Sequence, residues 1–131
     1  MRIESELFRL NRYLNQLAQV SSFSSARFEV LNLIKTHNPI TLRQLCKIQK
    51  VSMPTMSQLV DGLQSDALVI RAISKEDARQ RWIVPTQKGI SVLNEISRES
   101  EQFWEKKLEH LTRLQKQQLL NSLKLLADSL T

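Results

Sequence analysis

The chain has 131 residues, with 19 Lys and Arg against 13 Asp and Glu, two Gly, three Pro and one Cys. That length is one domain's worth and enough for a real core, and so little Gly and Pro beside abundant Leu, Gln and Lys reads as mostly helix. One cysteine excludes an internal disulfide and fits a reducing compartment. No run approaches the roughly 18 apolar residues of a membrane span and no apolar signal segment opens the chain, so a cytoplasmic protein without a membrane partner is expected.

The first helix is predicted from Ile3 to about Val20. Ile3, Leu7, Leu10, Leu14 and Leu17 recur at alternating spacings of four and three, a coiled-coil-like seam. Ser24 or Ser25 caps a second helix that buries Phe28, Leu31 and Ile34 and ends before His37-Asn38-Pro39, since proline forces an extended residue ahead of it. Ile40 is expected to add a short third strand to a ribbon further on. Thr41 caps the next helix, which buries Leu42, Leu45 and Cys46 on one face.

Gln49-Lys50-Val51 then makes a turn and Ser52 caps a fourth helix, with Pro54 in its first turn, where a missing N–H costs nothing. Met56, Leu59, Val60 and Leu63 mark its buried side. Pro54, Thr55, Ser57, Gln58 and Asp61 are left outward, a short-chained and almost uncharged surface. A helix that only needs to be soluble more typically carries Lys and Glu there, whereas one that enters a DNA groove wants small hydrogen-bonding groups.

Two apolar, β-branched runs follow, Leu68 to Ile73 and Arg81 to Thr86, separated by the polar tip Ser74-Lys75-Glu76-Asp77-Ala78-Arg79-Gln80. A strand pair this small must lie on the helices behind it. Helix, turn, helix, hairpin is the winged-helix order. Thr86 caps a long helix reaching about His110, with Ile90, Leu93, Ile96 and Phe103 inside. Thr112 and Gln115 form a capping box for the last helix, where Leu119, Leu123, Leu126 and Leu130 make a second apolar stripe. The two terminal stripes either pack on each other within one subunit or are shared between two copies; the homodimer is favoured, because paired half-sites raise affinity for DNA.

Charge placement supports a polyanionic partner. Residues 41–89 hold eight basic and four acidic side chains, so +4 of the net +6 falls in the presumed binding unit. Nothing supports catalysis: there is no glycine-rich phosphate loop and no Cys/His spacing for zinc, and His37 and His110 stand far apart. Cys46 lies on the apolar stripe and reads as a small core residue. No cofactor is expected.

From Ser25 to Gly89 the chain resembles the MarR family of bacterial transcription regulators. The resemblance rests on Leu45, Val51-Ser52, Thr55, Ser57, Leu59-Val60-Asp61, Leu63, Leu68-Val69, Arg71, Asp77-Ala78-Arg79, Thr86 and Gly89, with the Asp-x-Arg pair of the hairpin tip the most diagnostic. There are two departures. Ala67 stands where the family usually has Gly, so the end of the fourth helix is expected to be built differently. Gln58 stands where a basic residue is frequent, which unsettles the usual sequence preference.

The resemblance implies a mainly α fold with a small β-wing. It would be one domain over 1–131: a winged helix-turn-helix at 24–89, a linking helix at 87–110, and dimerisation helices at 1–22 and 108–131. It implies a dimeric repressor of a pseudo-palindromic double-stranded DNA operator, released by a small aromatic or anionic ligand. Thr41, Arg43 and Ser52 would meet the backbone, with Pro54, Thr55, Ser57 and Gln58 nearest the base edges and Gln58 pairing with an adenine. Arg79 would enter the minor groove with Asp77 holding its guanidinium in line, while Arg71, Lys75 and Arg81 add phosphate contacts. Tyr13, Arg27 and Phe28, near Phe23, stand at the junction where the family's ligands bind. Two alternatives remain: a winged-helix protein-interaction module without DNA binding, and a redox sensor using Cys46.

Overall fold

The computed structural model describes residues 2–19 and 25–131. Its elements are α1 (Ile3–Gln19), α2 (Ser25–Thr36), α3 (Leu42–Gln49), α4 (Met53–Ser65), β1 (Val69–Ile73), β2 (Arg81–Pro85), α5 (Gln87–Lys107) and α6 (Arg113–Leu130). The chain divides within α5 into two compact units, one ending at Leu93 and the other beginning at Asn94. The expected cap at Ser24 or Ser25 and the aromatic Phe23 lie outside the described residues or side chains. None of the described helices is long and apolar enough to cross a membrane.

The first unit holds the core. Val30, Leu31 and Ile34 of α2 meet Leu45 of α3, Met56, Val60 and Leu63 of α4, Leu68, Val69 and Ile83 of the hairpin, and Leu93 of α5. Each is the inward position of a helical or alternating pattern, and each contributes roughly 1.5–3 kcal/mol on burial. Phe28, Leu42, Cys46 and Leu59 pack against this cluster while half-buried. β1 and β2 pair antiparallel, with Val69 opposite Pro85 and Ile73 opposite Arg81. Ile40 joins as a single bridge: Ile83 N–H donates to its carbonyl at 2.7 Å and its own N–H donates back at 3.4 Å. The third strand expected at Ile40 is therefore one residue long.

Two expectations about the later helices are corrected. α5 stops at Lys107 rather than near His110, because the Leu111 N–H closes a tighter turn onto Leu108 at 3.0 Å. Phe103, expected inside, is 36% exposed: its ring meets Trp104 edge-on at 5.3 Å and Lys107 Nζ lies 5.6 Å above it. In the second unit, Thr112 and Gln115 form the predicted capping box at the start of α6. Trp104, Leu108, Leu119, Leu120 and Leu123 line an open groove between α5 and α6.

The end of α4 resolves the Ala67 question. Ala67 adopts the left-handed conformation, φ 60°, that glycine usually supplies. Its N–H donates to Gln64 O at 2.9 Å and the Leu68 N–H donates to Leu63 O at 2.9 Å, the paired bonds of a Schellman cap. The expectation of a differently built helix end is thus overturned. Alanine takes the strained conformation because the bonds around it over-determine it: Thr86 Oγ1 donates to Ala67 O at 2.7 Å, and Thr86 N–H donates to Leu68 O at 3.0 Å.

Candidate nucleic-acid interface

The interface begins with two helix caps. The Thr41 hydroxyl accepts from Gln44 N–H at 3.2 Å, and the Thr41 N–H donates to Gln44 Oε1 at 2.9 Å, fixing the start of α3. Arg43 is exposed beside it. After α3, Lys50 turns left-handed at φ 55°, which folds the chain directly into α4. Ser52 caps α4 by accepting from Thr55 N–H at 3.3 Å, and its hydroxyl donates to Thr55 Oγ1 at 2.9 Å. Pro54 has no N–H to offer and that of Thr55 is taken, which narrows the phosphate site expected at this helix end to the Met53 N–H.

The outward face of α4 is as small and polar as the sequence indicates. Pro54, Thr55 and Gln58 are exposed and Ser57 is half-buried. Cys46 donates its thiol to Met53 Sδ at 3.3 Å, a packing contact between α3 and the first residue of α4.

The wing is held from two sides. At its tip the buried Ser74 hydroxyl accepts from Glu76 and Asp77 N–H at 3.2 and 3.3 Å, and Gln80 N–H donates to Asp77 O at 3.0 Å. Nothing in the sequence singled out Ser74, which looks like one more polar loop residue. The Asp77 carboxylate accepts from Arg79 N–H at 3.0 Å but stands 4.0 Å from the Arg79 Nε. Asp77 therefore shapes the turn through the backbone more than it grips the guanidinium, which differs from the expected alignment. The Arg79 side chain is 96% exposed and projects from the tip. Lys75 is exposed, and Arg81 folds back, donating to Ala78 O at 2.6 Å.

At its base the wing is tied to α4 by Arg71. One terminal nitrogen meets Asp61 Oδ1 at 2.7 Å and the other donates to Gln64 Oε1. Arg71, expected at the phosphate backbone, has its planar fork engaged within the fold and works as a strut between hairpin and helix.

Of the expected ligand residues, Arg27 is engaged within the fold. Arg27 donates to Gly62 O at 3.0 Å and pairs with Asp66, binding α2 to the end of α4 rather than awaiting a carboxylate. Phe28 packs on the core cluster, and Tyr13 is half-buried on α1. The sequence offered no signal for the Arg27–Asp66 pair, whose members lie 39 residues apart. No group of His, Cys, Asp and Glu among the described residues is arranged to hold a metal.

Known proteins resemble this chain in sequence and in fold. A family model described as MarR family matches residues 21–80. Uncharacterized HTH-type transcriptional regulators of Bacillus cereus and Bacillus anthracis are 28% identical over 92 residues, 65% of this chain and 60% of theirs. The match thus spans about three-fifths of the curated relatives' length. A mutant MarR from E. coli superposes with a TM-score of 0.79 at 21% identity, covering 97% of both chains. Streptococcus pneumoniae FabT, solved in complex with DNA, superposes at 0.72 and 19% identity over 95% of this chain and 96% of its own. The chain thus has the winged-helix fold of these solved structures, and its residues 21–80 match the model of the MarR family.

Proposed function

We propose that this chain is a transcriptional regulator that binds double-stranded DNA sequence-specifically as a homodimer and acts as a repressor released by a small ligand. MarR-family members are transcriptional regulators rather than enzymes, and FabT and a MepR mutant of similar fold are described with bound DNA. The observation that carries the reading is Arg79: an almost fully exposed cation at the tip of a hairpin whose turn is pinned by Ser74 and whose base is strapped by Arg71 to the recognition helix. A rigid mount of this kind costs little ordering entropy when the arginine enters a narrow, negatively charged groove. Thr41 and Arg43 meet the backbone, while Pro54, Thr55, Ser57 and Gln58 enter the major groove.

Dimerisation is supported by apolar surface left bare on the terminal helices. Ile3, Leu7, Leu10 and Leu14 of α1 are 61, 41, 43 and 41% exposed, and Leu120, Leu123 and Leu130 of α6 are 46, 48 and 76% exposed. Two subunits place two recognition helices on half-sites one helical turn apart, ~34–36 Å, so a small shift on ligand binding breaks simultaneous engagement. Tyr13 and Phe28 are the candidate ligand contacts; Arg27 joins them only by giving up Asp66.

Selection of bound fragments from the host genome, followed by an electrophoretic shift assay with wild type and Arg79→Ala, tests the reading. The variant is expected to lose operator binding while remaining a folded dimer. Normal affinity would refute the role of the wing.

A further inference from the structure

Building on that DNA-binding reading, the geometry points to a recognition helix that reads adenine–thymine pairs in the major groove and does not recognise guanine. Guanine offers two acceptors there, N7 and O6, and is read by a cationic donor fork, most often arginine. From Val51 to Ile70 the chain has no Lys, Arg or His. Two guanidinium groups do reach α4 from other elements, and both are used inside the fold. Arg71 is held by Asp61 and Gln64, and Arg27 by Gly62 O and Asp66.

What remains on the exposed line of α4 is different chemistry. Pro54, Gln58 and Asp61 follow one another at spacings of four and three, so they stand in a row opposite the buried Met56, Val60 and Leu63. Gln58 is exposed and its carboxamide makes no hydrogen bond within the described residues. It presents one donor and one acceptor side by side, the complement of adenine N7 and N6 and the wrong match for the paired acceptors of guanine. Thr55 Oγ1 accepts from Ser52 and keeps a single O–H donor, which the N7 of either purine accepts without choosing between them, so the group by which Thr55 discriminates is its methyl. With the Pro54 ring beside it, that makes an apolar patch suited to the thymine C5-methyl group. Asp61, the one carboxylate on the row, is drawn to Arg71 and adds no donor.

The test uses the whole protein. Duplexes are selected from a random pool, and the best is resynthesised with 7-deazaadenine, 7-deazaguanine or uracil at single half-site positions. These changes remove the adenine N7, the guanine N7 or the thymine methyl and alter only the major-groove edge, so minor-groove contacts of the wing do not contribute.

The expected result is an A·T core in which one 7-deazaadenine and at least one uracil each weaken binding about tenfold, while 7-deazaguanine has no effect. Gln58→Ala, an exposed change, should bind with the adenine penalty gone, and Gln58→Arg should shift the selected base to guanine. A selected half-site with guanine at its centre and weakened by 7-deazaguanine overturns this inference while leaving DNA binding intact. Failure to bind any duplex in a salt-dependent way overturns the DNA-binding reading itself.

Discussion

Gly89 sits directly beneath the Leu68 carbonyl: a β-carbon on Gly89 would stand 2.1 Å from that oxygen. The contact closes the joint between the wing and α5, because Leu68 O already accepts the Thr86 N–H and Gly89 N–H donates to Thr86 Oγ1 at 3.0 Å. Backbone cannot retreat as a flexible side chain does. Gly89→Ala is therefore expected to destabilise the fold by about 1–3 kcal/mol in urea denaturation, the range for overpacking. An unchanged midpoint would mean that the joint is looser than its hydrogen bonds imply.

Ala67 runs the same argument in reverse. Its left-handed backbone, φ 60°, strains any residue with a β-carbon. Ala67→Gly should raise stability by about 1 kcal/mol, since relief of strain outweighs the extra freedom given to the unfolded chain. Equilibrium denaturation checks it, and a loss of stability would be the contrary result.

Arg71 and Arg79 carry the same charge within one hairpin and should respond differently to truncation. Arg71→Ala removes a strut whose partners are Asp61 and Gln64, so it should lower stability by less than about 1 kcal/mol and weaken duplex binding roughly fivefold through a poorly placed wing. Arg71→Lys should not restore binding, because one ammonium does not span both acceptors. Arg79→Ala should leave the denaturation midpoint in place and remove far more affinity. Equal binding losses for the two arginines would contradict the division of labour.

The bare leucines of the terminal helices make a prediction about assembly. Leu10 and Leu123 are 43 and 48% exposed in a single chain. Leu10→Glu and Leu123→Glu should each give a monomer by sedimentation, with helical content by circular dichroism largely retained, because neither side chain belongs to the core cluster. A variant that still sediments as a dimer would locate the interface elsewhere.

Much of the architecture was legible in the residue order alone. The caps at Thr41, Ser52, Thr86 and Thr112, the inward stripe of Met56, Val60 and Leu63, and the polar tip between two apolar runs are local features. Each is set by hydrogen bonds within three or four residues or by the helical and strand periods, so sequence carries it directly. The tertiary structure decided the employment of the charged and strained residues. Arg71 and Arg27 read as free cations until hairpin and helices come together, for their partners Asp61 and Asp66 lie 10 and 39 residues away. Ala67 in a glycine's conformation and Ser74 under the wing tip likewise depend on distant or buried hydrogen bonds. Local chemistry names the elements; where a long side chain finds its acceptor is settled only when separate elements pack.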